Sequence, residues 1–252
     1  MVSPRNRQEA PNASRVLIFD AARGFSVISM VLFHFCYDLR FIQGRNLSWF
    51  APPLQDIWRC SISWAFVFIA GCMFVWSRDN LKRSGRYLLA ALLIWIVTTV
   101  AAVDVPINFG VIFCMGACTL CTWVLSRLNI TPYGPAPAAI LLCCFLATQG
   151  LARGVVGFGP CSIALPRQLY MTPWLSWAGF PGPGFMSGDY YPLLPYLFLY
   201  LAASSLARMW KERGLSAWCY ESRFPLLETI GRAALPIYFL HQPLLLLLAQ
   251  LI

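Results

Sequence analysis

Seven apolar runs dominate the chain, at residues 22–42, 57–76, 87–103, 107–125, 137–151, 191–209 and 230–252, with polar stretches between them. A helix needs about 20 residues to cross the hydrocarbon layer of a bilayer. A spanning segment must also satisfy its backbone hydrogen bonds internally, which favours helices. The pattern therefore predicts an all-α fold: a polytopic membrane helical bundle of about seven transmembrane helices, filling residues 15–252. Residues 1–14 are polar, with Pro, Asn and Arg, and predict a short disordered cytoplasmic tail. The run after them is too long for a signal peptide and no small-residue cleavage site follows, so it predicts a retained span.

Between the third and fourth runs only Asp104 to Pro106 intervene, a tight turn. The longest connection, residues 152–190, is rich in Gly, Pro and aromatics, including Trp174 and Trp177. Long loops are commonly functional. The aromatic content predicts a packed lid or a segment lying against the membrane interface, on the outer side.

Composition agrees with a lipid solvent. Hydrophobic residues make up 59% and charged ones 12% of the 252 residues, against about half and a quarter in a soluble domain. The net charge is +9. The basic residues sit in short stretches between apolar runs and form no basic face with an aromatic platform, which argues against nucleic acid. With the N-terminus inside, fourteen of the 19 Lys and Arg fall on the inner side and five on the outer. That asymmetry predicts a cytoplasmic N-terminus. Ten cysteines are present. Most lie inside apolar runs, as small polarisable packing residues do, and no paired CxxC pattern suggests a metal.

Ionisable groups inside a span are costly and mark functional candidates. The chain has two histidines, His34 and His241, both within apolar runs. Arg23 and His34 are eleven residues apart, three turns plus about 20°, so they share a helix face, about 16 Å apart along the axis. Asp20 lies near the same line. In the last run, Arg232 marks the inner end and His241 lies nine residues on, about 13 Å deeper. Tyr238 precedes His241 by a turn, and Gln242 follows it. Two histidines at matched depth predict a polar site between the first and last helices. Outside, Asp189 and Tyr190 stand at the mouth of the sixth run. A carboxylate there is favoured by the dipole of the sixth helix, or it orients an arriving substrate.

These residues carry a resemblance. The run from Phe19 to Gly24 (FDAARG), followed by Met30 to Phe35 (MVLFHF), resembles the opening of bacterial heparan-α-glucosaminide N-acetyltransferase-like proteins, of the transmembrane acyltransferase group. Residues 66–71 (FVFIAG), 179–185 (GFPGPGF), 189–195 (DYYPLLP) and 231–243, closing on His241-Gln242-Pro243, are similar to later family segments in the same order. The resemblance implies an integral acyltransferase of the bacterial inner membrane. Its donor would be an acyl-CoA, acetyl-CoA above all, offered from the cytoplasm. Its acceptor would be a hydroxyl or amine of an extracytoplasmic sugar, glycan or glycolipid. Arg23, Asp20, Arg78, Arg83 and Arg232 are then the coenzyme-binding candidates, since Arg pairs well with phosphate. His34 and His241 are the catalytic candidates, as general base or acyl carrier. Asp189, Tyr190, Tyr238 and Gln242 are the acceptor-binding candidates. The competing reading is a multi-span transporter or flippase with a mid-membrane histidine relay.

Overall fold

The structure is a computed structural model that describes residues 15–102 and 104–251, excepting the side chains of 249–251. The tail expected at 1–14 lies outside the described residues. Eight α-helices follow in order: α1 (Leu17–Tyr37), α2 (Leu54–Met73), α3 (Asn80–Ala101), α4 (Val111–Arg127), α5 (Pro135–Ala147), α6 (Leu193–Arg213), α7 (Pro225–Arg232) and α8 (Ala234–Leu251). A π-helical turn, Asp38–Ile42, prolongs α1. The only strands among the described residues are two of two residues each, β1 (Val155–Val156) and β2 (Ile163–Ala164), paired antiparallel in the long loop.

The fold is the all-α bundle that the apolar pattern predicts. Five helical segments are long and apolar enough to cross a membrane, and the bent pair α7–α8 makes a sixth. The other expected span, α4, has 17 residues, about 25 Å of helix. Its short length goes with a central position. Cys114, Cys118, Thr119 and Thr122 are buried there, and α4 packs on α2, α3 and α6. Tyr200 of α6 is fully buried in this core, its hydroxyl 2.9 Å from that of Thr119. The outward face of α3 is apolar, with Val97 and Val100 exposed. In water such a face would be unfavourable; against lipid it is at home.

Local chemistry sets the ends. Asp79 caps α3, its carboxylate accepting from Lys82 N–H at 2.9 Å. Glu228 reaches back to the start of α7 and accepts from the N–H groups of Arg223 and Phe224 and the Ser222 hydroxyl. These donors lie just ahead of α7, so Glu228 ties the lead-in segment to the first turn of the helix.

The last span departs from the straight helix expected over 230–252. It breaks after Arg232, and α7 and α8 meet at 82°. Pro236 accounts for the break. In a continuous helix its ring would strike the carbonyl of Arg232 and leave it without a donor. At the third position of α8 the missing N–H is harmless, because first-turn donors have no intrahelical partner. The 13 Å depth expected for His241 therefore does not apply, since the chain changes direction before α8.

Freed from α8, α7 lies tightly along the first half of α1. The contact is glycine on backbone from both sides. A Cβ on Gly24 would sit 1.9 Å from the Leu227 carbonyl oxygen, and one on Gly231 1.9 Å from that of Asp20. Gly24→Ala and Gly231→Ala should each destabilise the bundle by about 1–3 kcal/mol or more through overpacking. Thermal unfolding of the purified variants checks this; melting at the wild-type temperature contradicts the packing described.

Candidate functional site

The second half of α1 meets α8 along a polar seam. The rings of His34 and His241 lie 4.9 Å apart, inclined at 59°. One helical turn after His34, Asp38 is fully buried and accepts from Gln242 Nε2 at 2.9 Å. His34 and Asp38 share a face of α1 because they are four residues apart. His241 and Gln242 are neighbours on α8, and each meets one of them.

The hydrogen bonding of His241 fixes its tautomer. Its Nδ1 lies 2.7 Å from the backbone carbonyl of Tyr238. A carbonyl oxygen only accepts, so Nδ1 carries the proton. Nε2 of the neutral ring is then a bare lone pair. It is buried and has no partner.

A separate cavity of about 60 Å³ has Tyr238 in its wall, and neither histidine is among its lining residues. Arg23, Arg83, Tyr87 and Tyr238 give it its polar lining, and Phe66, Met115 and Leu235 are among its apolar walls. Arg23 is held by Asp20 at 3.1 Å and by the Gly231 carbonyl at 3.4 Å. Arg83 donates through Nη2 to the Ala70 carbonyl at 3.0 Å, while its Nη1 is buried and unpartnered. Two guanidinium groups thus line one pocket, and one of them keeps a free donor.

The remaining candidates divide. Asp20 is buried and paired with both Arg15 and Arg23, so its carboxylate serves to hold Arg23. Arg78 is exposed in the turn between α2 and α3 and is not among the cavity's lining residues. Arg232 is exposed and bonds Thr229 at 3.0 Å. Tyr238 borders both cavity and seam.

Asp189 caps a different helix from the one expected. Its carboxylate accepts from the Val111 N–H at 3.2 Å, at the start of α4. Gly110 makes room, since a Cβ there would lie 2.9 Å from the Asp189 oxygen. The loop folds back across the helix ends, so sequence adjacency to α6 was a poor guide. None of the hydrogen bonds of Asp189 reaches either histidine. Tyr190 is tied into the loop, its hydroxyl donating to the Ser176 carbonyl at 2.6 Å. Tyr170 likewise donates to the Leu151 carbonyl at 2.6 Å. The loop is therefore packed on itself, and it presents Trp174, Met171 and Ile163 outward.

Asp38 is the site residue that reading the sequence missed. Its signal was present: an acid four residues after His34, inside an apolar run. Every cysteine is a free thiol, and the described residues contain no group of three His, Cys, Asp or Glu that could hold a metal.

An apolar helical bundle with a buried and a half-buried imidazole at a helix seam and two guanidinium groups lining a cavity has the makings of a membrane-embedded transferase. The sequence model of the family described as heparan-alpha-glucosaminide N-acetyltransferase, catalytic, matches residues 15–243. The chain belongs to that family, whose activity is that of a membrane acetyltransferase. No curated protein matches the chain, and no solved structure does.

The Asp189 cap gives a pH signature. Burial raises its carboxyl from the ordinary 3.8 to about 6, against the opposing pulls of the Val111 hydrogen bond and the Arg59 charge. A raised value means that the folded protein favours the protonated form. Its contribution to stability is full below about pH 4 and is lost as pH rises through about 6. Asp189→Asn should flatten that slope between pH 4 and 7 in thermal unfolding. A pH dependence identical to wild type contradicts the burial described.

Proposed function

We propose that the protein takes an acetyl group from acetyl-CoA at its arginine-lined end. It delivers that group to a hydroxyl or amine of a sugar- or glycan-type acceptor entering from the opposite face. One observation carries this reading. The cavity bordered by Arg23 and Arg83 is also lined by Tyr238, and the Tyr238 carbonyl fixes the His241 tautomer that leaves Nε2 bare. Guanidinium groups suit the phosphates of the donor. The cavity holds a few small groups only, so it suits the thioester end, with the nucleotide outside near Arg78 and Arg232. The excess of Lys and Arg in the segments at that end supports its facing the cytoplasm, as in a bacterial inner-membrane enzyme with a cytoplasmic N-terminus.

The chemistry is general base catalysis. His241 Nε2 takes the proton from the acceptor O–H or N–H as that atom attacks the thioester carbonyl. The new C–O or C–N bond forms, the C–S bond breaks, and the imidazolium returns its proton to the departing thiolate. His34 is the second imidazole of the seam and a base on the α1 side.

A transporter or flippase reading draws on the 82° break in the last span, since broken helices recur in transporters. Acetyl-CoA binding separates the two, because a pure transporter of another solute shows none.

Two predictions follow from the mechanism. With acetyl-CoA and sugar acceptors, His241→Ala and His34→Ala should each lower turnover by about 100- to 10,000-fold, the usual range for a lost general base. Full activity in a folded His241→Ala protein removes it from the mechanism. Arg83→Ala should raise KM for acetyl-CoA by about 10- to 100-fold with kcat little changed, as expected for a lost charge-assisted hydrogen bond. An unchanged KM contradicts the donor site.

A further inference from the structure

The polar seam contains more hydrogen-bonding capacity than the fold uses. Asp38 Oδ2, Gln242 Oε1 and His241 Nε2 are all buried and all lack a partner. They come from residues already linked to one another or adjacent in sequence, so they belong to one place. Buried polar groups in a folded protein are nearly always satisfied, and an orphan calls for an explanation.

A structural tie between α1 and α8 does not explain them. A tie needs one donor and one acceptor, and Gln242 Nε2 with Asp38 Oδ1 already makes it at 2.9 Å. A Ser or Asn at position 38 would serve that purpose without burying a carboxylate. Asp38 also begins the π-helical turn Asp38–Ile42, and such turns inside α-helices are frequent at functional sites.

The three orphan atoms are of one kind. A carboxylate oxygen and an amide oxygen only accept. The Gln242 amide is oriented by its carboxylate partner, which takes the N–H and turns the oxygen away. His241 Nε2 accepts too, because Nδ1 holds the proton. A ligand completing this site must therefore bring donors, and more than one.

We propose that Asp38 and Gln242 form the acceptor subsite of the transferase. The inference rests on the acyl-transfer reading above. Asp38 Oδ2 and Gln242 Oε1 each take a hydrogen bond from one of two hydroxyl or amine groups neighbouring the one that reacts, while the reacting O–H or N–H is directed at His241 Nε2. The selectivity is for an acceptor that brings three neighbouring donors, as a polyol or amino sugar does. A lone alcohol or a group bearing only acceptors leaves the carboxylate unpaired and is rejected. Asp38 acts in binding and alignment; the proton goes to His241.

The test follows free thiol released from acetyl-CoA by the full-length protein in lipid nanodiscs. The acceptors are glucosamine, glucose, ethanol or water alone. Wild type should release thiol faster with the two sugars than with ethanol or water. Asp38→Asn, which keeps the shape and the tie to Gln242, should lose about 10-fold or more of the sugar-dependent rate. KM for acetyl-CoA should stay as in wild type. Gln242→Met provides a second variant should Asp38→Asn not fold, and it should raise the sugar KM at unchanged acetyl-CoA KM. Sugar-dependent rates within twofold of wild type in a folded Asp38→Asn or Gln242→Met protein overturn the subsite. Ethanol serving as well as the sugars overturns the proposed selectivity. No thiol release by wild type under any of these conditions overturns the acyl-transfer reading itself, and the subsite falls with it.

Discussion

The crossing of α7 over α1 sets the rest of the site. Neither Gly24 nor Gly231 can carry a Cβ there, so the two backbones touch. Asp20 and Arg23 lock the same crossing, because Arg23 bonds both Asp20 and the Gly231 carbonyl. With α7 pinned to the first half of α1, Pro236 turns the chain, and α8 packs against α1 and the turn that follows it. His241 and Gln242 thereby meet His34 and Asp38. A straight final helix could not place α7 along α1 and direct α8 independently.

This arrangement joins two environments of opposite character. In the cavity stand two guanidinium groups, one with an unused donor. In the seam stand unused acceptors of a carboxylate, an amide and an imidazole. The first suits an anionic donor molecule, and the second a hydroxylated or amino acceptor. Tyr238 belongs to both, lining the cavity and holding His241 Nδ1 at its carbonyl.

Much of the architecture was legible from periodicity. The first six apolar runs correspond to α1–α6, while the seventh covers α8 and only the end of α7, whose start lies in the polar connection before it. What escaped was the geometry of the ends. The 82° break depends on which carbonyl Pro236 would strike, a local rule outweighed at first by the apolar continuity of 230–252. Asp189 caps α4 because residues 152–190 fold back over the helix ends, a tertiary event that sequence neighbourhood does not encode. Arg23 and His34 share one face of α1, but it is Asp38 that completes the seam. It lay four residues beyond His34 at the end of the run, where an acid reads as a boundary. Arg83 was visible as one of several basic residues; only packing distinguishes it from Arg78, which stays at the surface.

In the proposed reaction, donor and acceptor meet beside Tyr238 from opposite faces of the membrane. Sealed vesicles of defined orientation, given acetyl-CoA labelled in its acetyl group on the outside only, test it directly. Inside-out vesicles should consume the label and accumulate acetylated sugar in their lumen, while right-side-out vesicles should consume almost none. Equal consumption in both orientations, or product appearing on the same side as the donor, would contradict the account.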